Sequence, residues 1–501
     1  MATAQVEERQ LLKAMTWWDG FVVALANPGF LIASLGLSIG ALGTTGAFLL
    51  WTISICLGTL QNNIHAELAC MFPNKSGGVA LYAHEAWRKY LTLIGPLATF
   101  GYWIGWSVVL SVNGLVAGTL IQSEFFSSSD WSTSGAGFDL SLPILIGAGF
   151  IVVVWAFNVF GVRPAVWFGY VTGALLCIPA FVLMFLPYVT GDWHSQNMTW
   201  SIGSGGGLAL VLVWLYIMCW SAYGIEVVAT FAPEFHDTKR DTPKALRSAA
   251  LFCAAVYALL PLGLGGTLGT KTVAGDATGI AFYTQAFNAI VGNTLGKVMI
   301  LFIVSGLVLS MNTATMDGSR ALYGISKDGM TIRQLGTLNR YHVPALAMTI
   351  DAILNLFLIT YFQSPLEILA VSNVGYVFAT CAALSAFVLL RRDRPHWPRP
   401  VRLPNWYVPL GAALAGFNFI LLVFGGFVYS GGFLGITGYG YGWDKTRTGL
   451  IVLVAAFILY LWRHLVQDRV KLTLREDVPQ TPEEEARHPE IRVAPDAVPS
   501  A

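Results

Sequence analysis

Charge is scarce in this chain. Asp, Glu, Lys and Arg make up 11% of 501 residues and hydrophobic residues 55%, where a soluble domain carries about 25% charged residues. One soluble core cannot absorb that much apolar surface over this length, so lipid must solvate much of it. The net charge is +1, which gives no reason to expect a nucleic-acid partner. Cysteine is sparse as well. Cys56, Cys70, Cys177, Cys219, Cys253 and Cys381 all sit in apolar stretches, with no CxxC spacing and no neighbouring His cluster. They read as small buried hydrophobes, and neither a disulfide framework nor a metal site is expected. The first fifteen residues lack a signal-peptide pattern. There is no Walker loop, no HExxH, no GxSxG elbow and no polar stretch long enough for a catalytic domain. An enzyme, an ATP-driven pump and any cofactor are therefore not expected.

Long apolar runs are what the chain does have. Twelve of them approach the length that crosses a bilayer: 17–40, 45–71, 91–122, 142–160, 165–188, 208–233, 247–269, 294–322, 344–362, 367–390, 405–429 and 447–466. No charged residue occurs between Asp19 and His65, so the first two spans form a hairpin on an uncharged turn. The ninth is the weakest, because Asp351 lies inside it. With both termini on one side, all but four of the 29 Lys and Arg fall on that side, leaving Lys271, Lys297, Lys445 and Arg447 opposite. By the positive-inside rule that side is cytoplasmic. Residues 271–292 are partly apolar and predict a short helix over the outer face. Residues 467–501 are polar, charged and Pro-rich, and predict a disordered tail.

Two spans carry breaks at matching places. Span 1 holds Ala26-Asn27-Pro28-Gly29 and span 6 holds Ser221-Ala222-Tyr223-Gly224. They would open two halves of five spans each. Paired broken helices in an inverted repeat point to a transporter binding site, because the freed backbone groups at membrane depth need a partner.

Four segments then carry a family likeness. Glu67, Phe72-Pro73, Ser76-Gly77-Gly78 and Tyr82 follow span 2. Gly101-Tyr102-Trp103 and Trp106 open span 3. Gly224-Ile225-Glu226, Ala232-Pro233-Glu234 and Pro243 run through the exit of span 6. Gly318-Ser319-Arg320, Leu322-Tyr323-Gly324 and Lys327-Asp328-Gly329 close span 8. In this order and at these helix ends they resemble the amino acid–polyamine–organocation permease family, over about residues 15–465.

The resemblance implies an all-α integral membrane protein of about twelve transmembrane helices, with a five-plus-five inverted repeat of the LeuT type in which helices 1 and 6 are broken. It implies a cytoplasmic tail at 1–16, halves at 17–190 and 205–392, helices 11 and 12 at 403–466, and the tail at 467–501. It implies a plasma-membrane secondary transporter working by alternating access, a monomer or weak homo-oligomer in the bilayer. The substrate it implies is a small amino acid, with a polyamine or other organic amine as the alternative. A sensor that binds an amino acid without moving it would carry the same features.

Carried over by position, substrate contacts fall on Asn27, Gly29, Phe30, Tyr102, Trp106, Trp220, Ser221, Ala222, Tyr223, Asn312 and Ser372. Trp220 stands four residues before Gly224, the spacing of an aromatic lid in arginine–agmatine exchangers. Glu226, Glu67 and Asp351 are the candidates for proton coupling, with His65 nearby, and Arg320, Asp317 and Asp328 for a cytoplasmic gate. The chain departs from the family at the first break, where Gly-x-Gly is usual. Pro28 has no N–H, which weakens carboxylate recognition there. A polyamine calls for two buried acids, and only Glu226 stands at site depth on this reading. Span 5 contains neither the lysine that some proton-coupled members carry nor an acid.

Overall fold

The computed structural model describes residues 10–129, 131–135, 138–203, 206–276, 278–362, 364–430, 432 and 442–487. The outer parts of both expected tails (1–9 and 488–501), and residue 205 at the start of the expected second half, lie outside the described residues.

The helices are α1 Trp17–Ala24, α2 Asn27–Met71, α3 Gly78–Trp87, α4 Ile94–Ser107, α5 Val109–Phe125, α6 Leu142–Val159, α7 Val162–Thr190, α8 Gly207–Ala222, α9 Val227–Thr230, α10 Thr238–Ala274, α11 Phe282–Val291, α12 Asn293–Lys327, α13 Ala345–Tyr361, α14 Pro365–Asp393, α15 Tyr407–Ile420, α16 Trp443–Trp462 and α17 Pro482–Arg487. Among the described residues, ten helical stretches are long and apolar enough to cross a membrane by length and composition. α1 and α2 count as one stretch. It is interrupted at Leu25–Ala26 and turns at Gly43, whose φ of 76° favours glycine. α13 is shorter than these and also apolar. The short helix predicted over 271–292 is α11.

Three features differ from the sequence expectation. Span 3 is two helices that meet at Val108. The exposed β1 Ser132–Gly135 pairs antiparallel with β2 Phe138–Ser141, with Ser132 opposite Ser141; β1 is too polar to pack as a helix face. In the tail, the Thr473 and Leu474 carbonyls accept hydrogen bonds from Thr92, and the Glu476 N–H donates to the Arg88 carbonyl. Backbone pairing thus orders a stretch whose composition argued for disorder.

Which helices sit at the centre follows from their exposure. The apolar window of α1–α2 is 94% buried, that of α6 28%. α6 and α16 turn Leu145, Val152, Ile451, Val454 and Ile458 outward, as a lipid-facing surface requires. α4 and α14 meet through Gly101, Gly105 and Gly375. A Cβ on Gly105 would lie 2.8 Å from Tyr376, and one on Gly101 would overlap the Gly375 backbone. Small residues of this kind let helices approach closely in a bilayer. The approach brings the aromatic residues of α4 and α14 onto the second break.

Candidate functional site

The first break is narrow. Leu25 and Ala26 keep right-handed α backbone, and the Gly29 N–H donates to the Ala26 carbonyl at 3.0 Å. The carbonyls around it are met by side chains from other helices. Thr313 and Ser310 of α12 donate to Val23 (3.0 Å) and Ala26 (2.6 Å), and Tyr257 of α10 donates to Asn27 (2.8 Å). Asn27 spends its amide N–H on the Ala24 carbonyl, while its Oδ1 has no partner.

The second break runs from Tyr223 through a 3-10 turn at Gly224–Glu226 into α9. The two breaks touch. A Cβ on Gly224 would stand 2.6 Å from Asn27 Oδ1, with Phe30 and Trp106 next to it. Tyr257 ties them further, because its hydroxyl also meets Ser221 Oγ at 2.8 Å.

Glu226 lies beside this junction. Its Oε1 accepts from Tyr376 of α14 at 2.8 Å and from Trp106 of α4 at 3.3 Å. Its Oε2 is buried without a partner. Aromatic rings surround it. Phe30 lies 5.5 Å from Trp106 and 5.0 Å from Trp220, and Tyr102 stacks on Tyr376 at 6.2 Å. Trp220 is fixed by a 2.8 Å hydrogen bond to the Gly105 carbonyl. One turn along, the hydroxyls of Tyr102 and Thr230 are 3.5 Å apart and face Asp317 of α12. Asp317 is fully buried, and among the described residues those hydroxyls, not a Lys or Arg ion pair, meet its carboxylate. Asp351, the charge inside the weakest of the expected spans, is also buried. It accepts from Trp103 Nε1 at 3.1 Å. A buried carboxylate without a cation is costly, and a ligand cation or a proton removes that cost.

At one end of the bundle the acids are paired instead. Arg320 grips Glu234 through Nε and, at 3.0 Å, Nη2, and stacks on Phe231. Its sequence neighbours Asp317 and Asp328 are not the residues it grips. Glu67 takes two 2.6 Å hydrogen bonds from Arg391 and an ion pair from Arg399. Glu85 is held by Lys75, by Arg88 at 3.1 Å and by Arg394 at 2.7 Å. Burial pushes the Glu85 carboxyl up, and the Arg88, Lys75 and Arg394 cations overcome that and hold it well below the usual carboxylate range. Burial, helped by Arg88, lowers the neighbouring His84 imidazole to about 3. Ser76 and Gly78 reach from this end to the second break. Ser76 Oγ donates towards the Thr230 and Arg320 carbonyls at 3.3 and 3.4 Å, and Gly78 presses on Thr230.

Of the residues singled out in the sequence, the structure brings together Asn27, Phe30, Tyr102, Trp106, Trp220 and Glu226. Gly29 lets α2 press on Gly306 and Ser310 of α12. Ser221 faces Tyr257, the Ala222 carbonyl faces Gly58, and Tyr223 turns towards Gly58 as well. Asn312 is occupied by the Ala165 carbonyl and Asn158, and Ser372 by its own helix. Tyr376 and Tyr257 were missed. Tyr376 is four residues beyond Ser372, on the same face of α14, so the pattern identified the face and missed the turn. A lone Tyr in an apolar span, such as Tyr257, gives no separate signal. Among the described residues, no three His, Cys, Asp or Glu converge as metal ligands.

Residues 15–440 match the family described as Amino acid permease. The chain is 26% identical to a polyamine transporter of Oryza sativa subsp. japonica over 398 residues, 75% of this chain and 66% of that protein, just short of two thirds of its length. It is 25% identical to a gamma-aminobutyric acid permease of Bacillus subtilis, over 68% of this chain and 72% of the relative. It is also 25% identical to a D-serine/D-alanine/glycine transporter of Escherichia coli, over 66% and 72%. The chain belongs to the amino acid permease family, within the amino acid–polyamine–organocation superfamily, and is a membrane transporter rather than an enzyme.

Proposed function

We propose that this permease carries a small ammonium-bearing solute, in the first instance an amino acid, across the plasma membrane by secondary-active alternating access. The observation that carries this reading is the partnerless Oε2 of Glu226, buried among aromatic rings where the two helix breaks meet. A carboxylate in an aromatic box recognises an ammonium group through charge and cation–π attraction together. Asn27, Phe30, Tyr102, Trp106 and Trp220 form the box, with Gly29, Ser221, Ala222 and Tyr223 shaping the breaks behind it. Asn312 and Ser372 contribute through the scaffold.

The architecture fits a five-plus-five repeat in about twelve spans, with the cation-rich end and both termini in the cytoplasm by the positive-inside rule. The Arg320–Glu234 pair, with Asp328 near Arg320 in sequence, forms the cytoplasmic gate, and Asp317 stands apart from it beside Tyr102 and Thr230. Protons are the coupling ion in this account. Glu226 and Asp351 are better proton carriers than Glu67, because Glu67 is held by two arginines.

A second reading, an organic amine or polyamine without an α-carboxylate, is favoured by the first break. Pro28 has no N–H, and the Gly29 N–H and the Asn27 amide already serve the Ala26 and Ala24 carbonyls. Uptake into proteoliposomes of an amino acid, its ω-amino isomer and its decarboxylated amine separates the readings. Flux of the amino acid with none of the amine supports the first, and the reverse supports the second. Binding without flux for all three points to a sensor.

A further inference from the structure

We propose that Asp317 is a second ammonium-binding carboxylate, which together with Glu226 makes the permease select α,ω-diamines over monoamines. The inference rests on the organic-amine reading above and adds to it a residue and a ligand geometry.

Asp317 is fully buried, and among the described residues its oxygens meet the Tyr102 and Thr230 hydroxyls with no Lys or Arg pairing with them. The nearest cation in sequence is engaged elsewhere. Arg320 directs Nε and Nη2 to Glu234 and Nη1 to the Met316 carbonyl at 2.8 Å. A buried carboxylate in this position has room in its energetics for a cation brought from outside.

Its place relative to Glu226 is set by two helical segments at once. On α4, Trp106 donates to Glu226, and Tyr102, four residues earlier, faces Asp317. On the second break, Glu226 is followed four residues later by Thr230, which also faces Asp317. Four residues span about 6 Å along a helix, so the two carboxylates stand roughly one turn apart on one wall. Between them the Tyr102 and Tyr376 rings stack at 6.2 Å, an aromatic surface suited to the methylene chain that joins two ammonium groups. Asp351 also lies near Asp317, and its Oδ1 accepts from Trp103 Nε1 at 3.1 Å.

The test is competition binding to the purified full-length chain, with putrescine and n-butylamine as matched probes. The expected result is a preference for putrescine of about tenfold or more that Asp317→Asn abolishes. A series of diamines of increasing length on the wild type provides a readout that does not depend on how the variant folds. Affinity should peak at the spacing of one helical turn. Equal affinity for the two probes, a flat length series, or a putrescine preference that survives in Asp317→Asn overturns the proposal and leaves the amine reading standing. If neither amine binds the wild type, the amine reading itself fails and takes this proposal with it.

Discussion

The cation-rich end and the centre of the bundle treat buried acids in opposite ways. At the cation-rich end, Glu67, Glu85 and Glu234 are each gripped by arginine or by arginine and lysine together. At the centre, Glu226, Asp317 and Asp351 meet hydroxyls and indoles, with no Lys or Arg ion pair to any of them among the described residues. A closed pair has no remaining demand for a cation, so it can lock a conformation and little else. An acid that the fold leaves without a cation keeps that demand for a solute or a proton. Position in a transporter therefore separates lock from site more clearly than residue type does.

The comparison breaks most readily at the locks. Arg320→Met strands Glu234 in the interior and should cost about 3–5 kcal/mol of stability, read as a lower melting temperature in detergent. An unchanged melting temperature would mean that the pair is not buried in the molecule. Glu226→Gln removes the central charge while keeping the shape. It should weaken binding of an ammonium substrate by about 2 kcal/mol or more, some thirty-fold, and leave the melting temperature unchanged or raised. A lowered melting temperature for Arg320→Met beside one that is not lowered for Glu226→Gln is what the comparison requires.

Acid pH acts on the same end. His84 is held neutral down to about 3, so the unfolded chain takes up its proton near pH 6.5 while the folded one does not. Glu85 is held ionised well below its ordinary range. In both cases the unfolded state binds more protons as pH falls, so stability declines with acid, from about pH 6.5 through His84 and below about 4.5 through Glu85. The loss through His84 should reach about 2 kcal/mol by pH 5, and His84→Asn should remove that share of the acid sensitivity. A melting temperature flat from pH 7 to 5 contradicts this. The smallest effect is at Trp220. Trp220→Leu should weaken ammonium binding by about 0.5–2 kcal/mol and leave an uncharged analogue less affected.

Much of this was legible in the sequence, for physical reasons. A break needs a residue that cannot continue a helix or that lets another chain close in, so Pro28 and Gly224 marked the two junctions directly. Glu226 was conspicuous because an acid inside an apolar run is expensive. Asp317 was read with the gate because it stands three residues from Arg320, and sequence distance does not show that the Arg320 guanidinium reaches Glu234, 86 residues away. Asn312 and Ser372 had suitable depth and side chains turned to other partners, since a face is periodic in sequence and the choice of turn depends on packing. Gly101 stood in the motif and Gly105 did not, and their packing against Gly375 and Tyr376 involves α14, a contact no local pattern carries.

The most direct test of the central claim, that the unpaired acid at the junction of the breaks is the ammonium site, is isothermal titration of the purified chain with amino acids, ω-amino acids and amines, repeated on Glu226→Gln. The account predicts that a ligand bearing an ammonium group binds the wild type and loses about thirty-fold or more on the variant, whatever the rest of the ligand. A substrate that binds both proteins equally would place recognition elsewhere and contradict it.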